Sequence, residues 1–185
     1  MLLTRKAHLI VSEYLQPGDQ AVDATAGNGH DSLFLAEQVG GNGKLFAFDI
    51  QEQALSATAR RLQEAGQDRQ LNLVHRGHEH LRDSLPPESI GRIQAVMFNL
   101  GYLPHSDKTT ITRQDNTLPA LEQAHAVLAP GGIISVLAYR GHPGGLEESL
   151  AVQKTMAALA GDGLQLSILE SPGPVLLVLA PDHHD

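Results

Sequence analysis

Apolar positions 7, 10, 11, 14 and 15 recur at helical spacing and predict a helix over residues 4 to 15. "QPGD" breaks it, and "QAVDAT" follows as a short apolar strand. "HDSLFLAEQV" reads as a helix stopped by "GGNG", and "KLFAFDI" as the second strand. Residues 52 to 65 place Leu55, Ala59 and Leu62 on one helical face, before a third strand, "LNLVHR". "EHLRDSL" is a short helix ending at Pro86-Pro87, and "IQAVMFNL" is the fourth strand. A long loop, residues 100 to 116, leads to the helix "TLPALEQAHAVLA", with Pro119 in its tolerated first turn. "GGIISVLAY" is the fifth strand, and "LEESLAVQKTMAALA" is a helix ended by Gly161. "LQLSILE" and "PVLLVLAP" close the chain as strands joined by "SPGP".

Strands that alternate with helices predict a parallel sheet with right-handed crossovers. A link of only about four residues between the last two strands allows only an antiparallel pair. The expected fold is therefore α/β: a Rossmann-like, doubly wound, mostly parallel seven-stranded sheet with a C-terminal antiparallel strand. With no repeat and no long linker, residues 1–185 are expected to form a single domain. Ligands in such sheets sit at the carboxyl ends of the strands. That rule points to residues 23–31, 49–51, 75–80, 99–108 and 139–145.

Composition narrows the classes. The chain contains no Cys, which rules out disulfides and Cys-based zinc sites. Its longest apolar runs fall far short of the roughly 20 residues of a bilayer span, and "MLLTRKAHLIVSEYL" has charges where a signal peptide needs an apolar core. A cytoplasmic protein without membrane partners is expected. The net charge of -8 speaks against generic, charge-driven nucleic-acid binding, though not against a local basic patch.

Chemistry concentrates in "AVDATAGNGHDSLFLAE". Gly27 and Gly29 follow the first strand and open a helix, where glycine permits a sharp turn and close approach of a ligand. Asp49 ends the second strand, 20 residues beyond Gly29, placed to accept hydrogen bonds from ribose hydroxyls. A nucleoside-containing cofactor follows from that pair. The dinucleotide fingerprint would need Gly or Ala where Ser32 stands, and Asp31 would repel a pyrophosphate. Asp23, at the end of the first strand, adds a second carboxylate and favours a cationic ligand. S-adenosylmethionine, with its sulfonium and ammonium, fits better than NAD. The residues expected around it are Asp23, Thr25, Gly27, Asn28, Gly29, Asp31, Asp49 and Gln51.

"VDATAGNGHDSLFLA" followed by "FAFDIQ" resembles the first two motifs of class I S-adenosylmethionine-dependent methyltransferases. "DATAGNGHD", "FNLGYLPHSDK" and "YRGHPGG" together resemble, over nearly the whole chain, a narrower family once catalogued as rRNA methylases. Its characterised members are tRNA wobble-uridine methyltransferases of the MnmM (YtqB-like) type. The resemblance implies methylation of the amine of 5-aminomethyl-(2-thio)uridine at wobble position 34, and the anticodon arm of tRNA as partner. Many amino-methylating enzymes of this class carry Asn/Asp-Pro-Pro-Tyr at the end of the fourth strand. Asn99 and Tyr102 match it, while Leu100 and Gly101 replace the prolines. Asn99 would then aim the amine's lone pair and also border the cofactor, and Tyr102 would stack on uracil or line the methyl channel. His78 stands where relatives of the class place an acid that contacts adenine.

Three histidines, His30, His105 and His142, map to the same edge and are candidates for taking the amine's proton, with His142 counted among the catalytic residues. His30, His105, Lys108, Tyr139, Arg140 and Gly141 are the expected substrate contacts. With Arg5, Lys6 and Arg113, the cations Lys108 and Arg140 form the local patch that the overall charge lacks. No metal is expected: His75, His78 and His80 do not share one strand face. A homodimer is compatible with so small a fold, although no interface residues stand out. The alternatives are a methyltransferase acting on rRNA, a small-molecule amine or a protein; a nicotinamide-dependent oxidoreductase; and a non-catalytic binding module.

Overall fold

A computed structural model describes residues 2–101, 114–161 and 163–182. Helix α1 (Leu3–Ser12) precedes β1 (Gln20–Asp23), α2 (His30–Val39), β2 (Lys44–Phe48), α3 (Glu52–Glu64) and β3 (Leu71–Val74). A 3-10 turn (His78–His80) leads into the short α4 (Leu81–Ser84), a second such turn (Pro87–Ser89) and β4 (Ile93–Leu100). The remainder is α5 (Gln114–Val127), β5 (Leu128–Ala138), α6 (Gly145–Leu159), β6 (Leu164–Glu170) and β7 (Val175–Pro181). The seven strands form one sheet in the order β3-β2-β1-β4-β5-β7-β6.

The first five strands pair in parallel, and β7 pairs antiparallel with both β5 and β6. The expected sheet is therefore observed, with β7 inserted between β5 and the edge strand β6 rather than added outside it. Sequence explains the order: "VLLVLA" is buried on both faces, as an interior position requires, whereas β6 alternates half-buried and exposed residues. The strand order reverses between β1 and β4, which is where a doubly wound sheet opens its ligand crevice.

Two apolar layers sandwich the sheet. Val22, Phe46, Phe48, Val96, Phe98 and Ile134 pack on the face covered by α5 and α6. Ala21, Leu45, Met97, Ile133 and Leu176 pack on the opposite face with Val11 of α1 and Leu35 of α2. Period-two alternation along each strand sends neighbouring residues to these two faces.

One local expectation is corrected. Pro119 is not in a first turn: α5 already runs from Gln114, so Pro119 lies inside the helix. The leading turn "QDNT" is polar and carries no apolar periodicity to announce it. This early start matters for the site, because it brings Asn116 to the cavity wall. Among the described residues, no helix is long and apolar enough to cross a membrane.

Candidate cofactor and amine site

A cavity of about 570 Å³ opens over the carboxyl ends of β1, β2 and β4. This is within the size range of small-molecule and cofactor sites. Its floor is the turn after β1. Ala24 N–H donates to Met97 O and Ala26 N–H to Phe48 O, each at 2.9 Å, so the turn is stitched to both neighbouring strands. Thr25 Oγ1 accepts the Asn99 N–H at 2.8 Å, tying β1's exit to β4's.

Asp49 has a double task. One carboxylate oxygen accepts Gly27 N–H at 3.0 Å, and the other accepts Gln51 N–H at 2.9 Å. Each oxygen has a further lone pair for a ligand hydroxyl. The far side of the turn is held by α3: Thr58 Oγ1 donates to Gly27 O at 3.3 Å and Arg61 Nε to Asn28 O at 2.6 Å. Gly27 lines the cavity, but Gly29 does not. Gly29 instead caps α2 at φ 76, and a Cβ there would meet the Thr58 Cα at 2.8 Å. Its expected ligand contact is thus corrected to a packing role: only glycine allows α2 and α3 to approach so closely at a left-handed position.

Asp23 is corrected likewise. It is fully buried beneath the turn and does not line the cavity. Its carboxylate accepts from Ser32 Oγ and, at 3.1 Å, from Thr25 N–H. Burial first, and then the Asp31 carboxylate, push its pKa from 3.8 up to about 7. The folded chain therefore holds this proton more tightly than the unfolded chain. The resulting stability is full below pH 3.8 and is lost as pH rises through about 7. Asp23→Asn keeps an acceptor for Thr25 N–H and a polar partner for Ser32. It is expected to raise Tm at pH 8 relative to the parent and to flatten the decline above pH 4, followed by thermal unfolding across pH. An equal loss of Tm at every pH would contradict this.

His78 is 8 % exposed, lies edge-on to Phe98, and has Nδ1 3.2 Å from Ala24 O. Burial lowers its pKa, so it is neutral near pH 7 with the proton on Nδ1 and Nε2 left as an acceptor. His78 thus presents an acceptor at the cavity wall.

Across the cavity, Asp31 is 7 % exposed and sits 3.4 Å from the Asn99 side-chain nitrogen. Because a carboxylate can only accept, Asn99 turns its Nδ2 toward Asp31 and its Oδ1 away from it. Thr25, Gly27, Asn28, His30, Asp31, Asp49, Gln51, His78, Asn99, Tyr139, Gly141 and His142 all line the one cavity, so twelve expected residues meet there. His30 Nε2 is 3.3 Å from Arg61 Nη2, and His142 Nδ1 is 3.2 Å from Pro143 O.

Arg140 is corrected. Its guanidinium donates to Ser171 O and Gly173 O and pairs with Glu170 at 2.9 Å, which locks it to the β6–β7 turn and away from the cavity. Tyr102, His105 and Lys108 lie outside the described residues.

Ile50, Arg76 and Glu79, which fall in the expected strand-end ranges but were given no role, also line the cavity, as does Asn116, which lies outside those ranges. Ile50 directly follows the strand-end acid and, 57 % exposed, adds an apolar face to the cavity wall. Among the described residues, Asp31, Asp49 and Glu79 line the cavity together with one guanidinium, that of Arg76. That balance suits a cation and disfavours a pyrophosphate. The turn, the acid at its shoulder and the acidic lining therefore fit S-adenosylmethionine. Removing the Asp49 side chain takes two carboxylate acceptors from the cavity wall and frees Gly27 N–H. Asp49→Ala is expected to weaken S-adenosylhomocysteine binding by about 10- to 100-fold in calorimetry, and unchanged affinity would overturn the ribose assignment. Among the described residues, no group of three or more His, Asp or Glu side chains is arranged to hold a metal ion.

Comparison with known proteins agrees with this geometry. Residues 45–171 match the model of the family described as "Putative rRNA methylase". The chloroplastic tRNA (mnm(5)s(2)U34)-methyltransferase of Arabidopsis thaliana is 38% identical over 172 residues, 89% of this chain and 60% of that protein. The chain thus spans about 60% of the length of that curated relative. The crystal structure described as that of a "putative rRNA-methylase" from Clostridium thermocellum superposes with a TM-score of 0.90 at 33% identity, covering 97% of each chain. A protein from Streptococcus mutans described as "a putative methyltransferase", solved in complex with SAH, superposes with a TM-score of 0.85 at 28% identity, covering 98% of this chain and 99% of that one. With a matched range from β2 into the β6–β7 turn and a solved relative that aligns end to end, the chain belongs to the rRNA methylase family.

Proposed function

We propose that the protein is an S-adenosylmethionine-dependent methyltransferase acting on tRNA. It N-methylates 5-aminomethyl-(2-thio)uridine at wobble position 34 to the 5-methylaminomethyl form. The observation that carries this reading is Asn99: its amide nitrogen is engaged by Asp31, and its oxygen is left for a hydrogen-bond donor in the cavity. An amine nucleophile needs such an acceptor, whereas a hydroxyl nucleophile would need a base.

When bound, S-adenosylmethionine supplies an electrophilic methyl carbon on a sulfonium. The chain's residues do the rest by positioning. Gly27 and Asp49 hold the nucleoside end, and His78 Nε2 accepts from adenine. The Asn99 oxygen accepts one N–H of the neutral amine and turns the nitrogen lone pair toward the methyl group. Tyr139, 42 % exposed at the rim, offers a face for uracil. As the N–C bond forms and the S–C bond breaks, the amine nitrogen becomes cationic; its excess proton passes to His142 or to water. The relative from Arabidopsis thaliana supports this substrate, since its name specifies the same wobble nucleotide. The whole chain acting as one methyltransferase domain in the cytoplasm, with an anticodon arm as partner and a homodimer as assembly, belongs to the same reading.

A second reading, methylation of ribosomal RNA, is favoured by two relatives, both named ribosomal RNA small subunit methyltransferase H. The ribosomal RNA small subunit methyltransferase H of Chromobacterium violaceum is 34% identical over 87 residues, 47% of this chain and 26% of that protein. Nucleoside mass spectrometry of tRNA and rRNA from cells with and without the gene separates the two. Loss of 5-methylaminomethyl uridines from tRNA, with build-up of the 5-aminomethyl precursors, is expected. A change confined to rRNA would replace the first reading by the second.

A further inference from the structure

His8 lies on α1, beside Ala7 and one turn from Val11, both of which are buried in the core. It does not line the cavity, yet it touches a residue that does. Its Nε2 is 2.6 Å from Asp31 Oδ1, and its ring stacks on Phe34 with centroids 4.1 Å apart and planes within 3°. The other Asp31 oxygen faces the Asn99 amide nitrogen at 3.4 Å. The three side chains form a line from α1 through the start of α2 to the end of β4.

The two ends of this line are unequal. The contact to His8 is short and fixed by ring stacking, while the contact to Asn99 is long. A carboxylate as buried as Asp31 must keep its donors. In this line the carboxylate can only accept, so the His8 Nε2 carries the proton and the Asn99 Nδ2 faces Asp31. The two ends of an amide have nearly the same shape and differ as acceptor and donor, so a charged neighbour is what distinguishes them. Asp31 makes that distinction, and His8 holds Asp31 in the rotamer that makes it.

We propose that His8 is a positioning residue for methyl transfer: acting through Asp31, it keeps the Asn99 amide with its nitrogen toward α2 and its oxygen toward the cavity. The proposal rests on the reading of Asn99 as the acceptor for the substrate amine. With the amide reversed, an NH2 group would face the amine, and two donors would oppose each other.

Two substitutions separate the hydrogen bond from the packing. His8→Phe keeps a ring stacked on Phe34 and removes the donor. His8→Gln loses the ring but returns an N–H near the position of Nε2. His8→Phe is expected to lower kcat about tenfold or more with little change in KM for tRNA. His8→Gln is expected to stay within about threefold of the parent. The second readout needs neither cofactor nor substrate. The side-chain NH2 signals of Asn99 in the 1H–15N spectrum of the protein alone should shift and exchange faster with solvent in His8→Phe, and should be retained in His8→Gln. Should His8→Phe fail to fold, His8→Leu removes the donor and is read the same way. Equal impairment of the Phe and Gln variants, or an unmoved Asn99 signal in the Phe variant, overturns the proposal. If the parent itself does not methylate aminomethyl-bearing tRNA, the substrate reading falls, and the amide signal still decides the role of His8.

Discussion

Replacing Asn99 by alanine is expected to lower kcat about 100-fold or more, while the Kd for S-adenosylhomocysteine stays within about threefold. Two observations set this split. The Asn99 side-chain nitrogen lies 3.4 Å from Asp31 Oδ2, which leaves its oxygen directed away from Asp31. The turn that holds the nucleoside end is instead fixed by Asp49, Thr58 and Arg61, which remain in the variant. The backbone bond from Asn99 N–H to Thr25 Oγ1 is also indifferent to the side chain. The ground state therefore keeps its contacts, and the loss falls on the step that needs an aimed lone pair. Single-turnover kinetics with tRNA, paired with calorimetry, reads both numbers. A large fall in cofactor affinity with normal turnover would place Asn99 in the cofactor site instead of at the amine.

Replacing Gly29 by alanine is expected to destabilise the fold by about 2–4 kcal/mol, the sum of a left-handed backbone for an L-residue and an overpacked contact. For a chain of this size that is a fall in Tm of about 5–15 °C. The contact is with backbone: the new Cβ would lie 2.8 Å from the Thr58 Cα, and a shorter side chain at 58 leaves that atom in place. Gly66 provides the control. It has a similar φ of 67, but a Cβ placed there would meet nothing within 4 Å. Gly66→Ala should therefore cost only the left-handed backbone part, about 1–2 kcal/mol. Thermal unfolding of the two variants side by side separates close packing from backbone preference. Equal losses would mean that α2 and α3 can part without cost.

The fold was legible because its signals are local. "QAVDAT", "KLFAFDI" and "IQAVMFNL" are short apolar runs bounded by turn residues, and each became a strand of the parallel sheet. The four-residue link before β7 forced an antiparallel pair, but the insertion of β7 beside β5 depends on which strand can be buried on both faces. The start of α5 was hidden because polar "QDNT" has no apolar stripe, and with it went Asn116.

The site was legible where strand ends impose it. Gly27 and Asp49, just after β1 and β2, and Asn99, at the end of β4, reach the cavity because of those positions. What failed were side-chain directions. Asp23 shares a strand end with the cavity, yet alternation turns it under the turn to Ser32. Arg140 looked like an RNA contact, but the neighbouring β6–β7 turn offers it two carbonyls and a carboxylate. His8 sits far away in sequence on a helix whose apolar periodicity attracts attention to other positions. Its role depends on a contact 23 residues along the chain, which no local pattern reveals.

The most direct measurement is methyl transfer by the purified chain from labelled S-adenosylmethionine to tRNA that carries 5-aminomethyl-2-thiouridine at position 34. Nucleoside mass spectrometry identifies the product. Conversion to 5-methylaminomethyl-2-thiouridine, abolished by Asn99→Ala, is the expected result. Label incorporated into rRNA or a small amine, with the wobble nucleoside unchanged, would contradict the assignment of substrate. It would leave standing the family, the fold and the cavity at the ends of β1, β2 and β4.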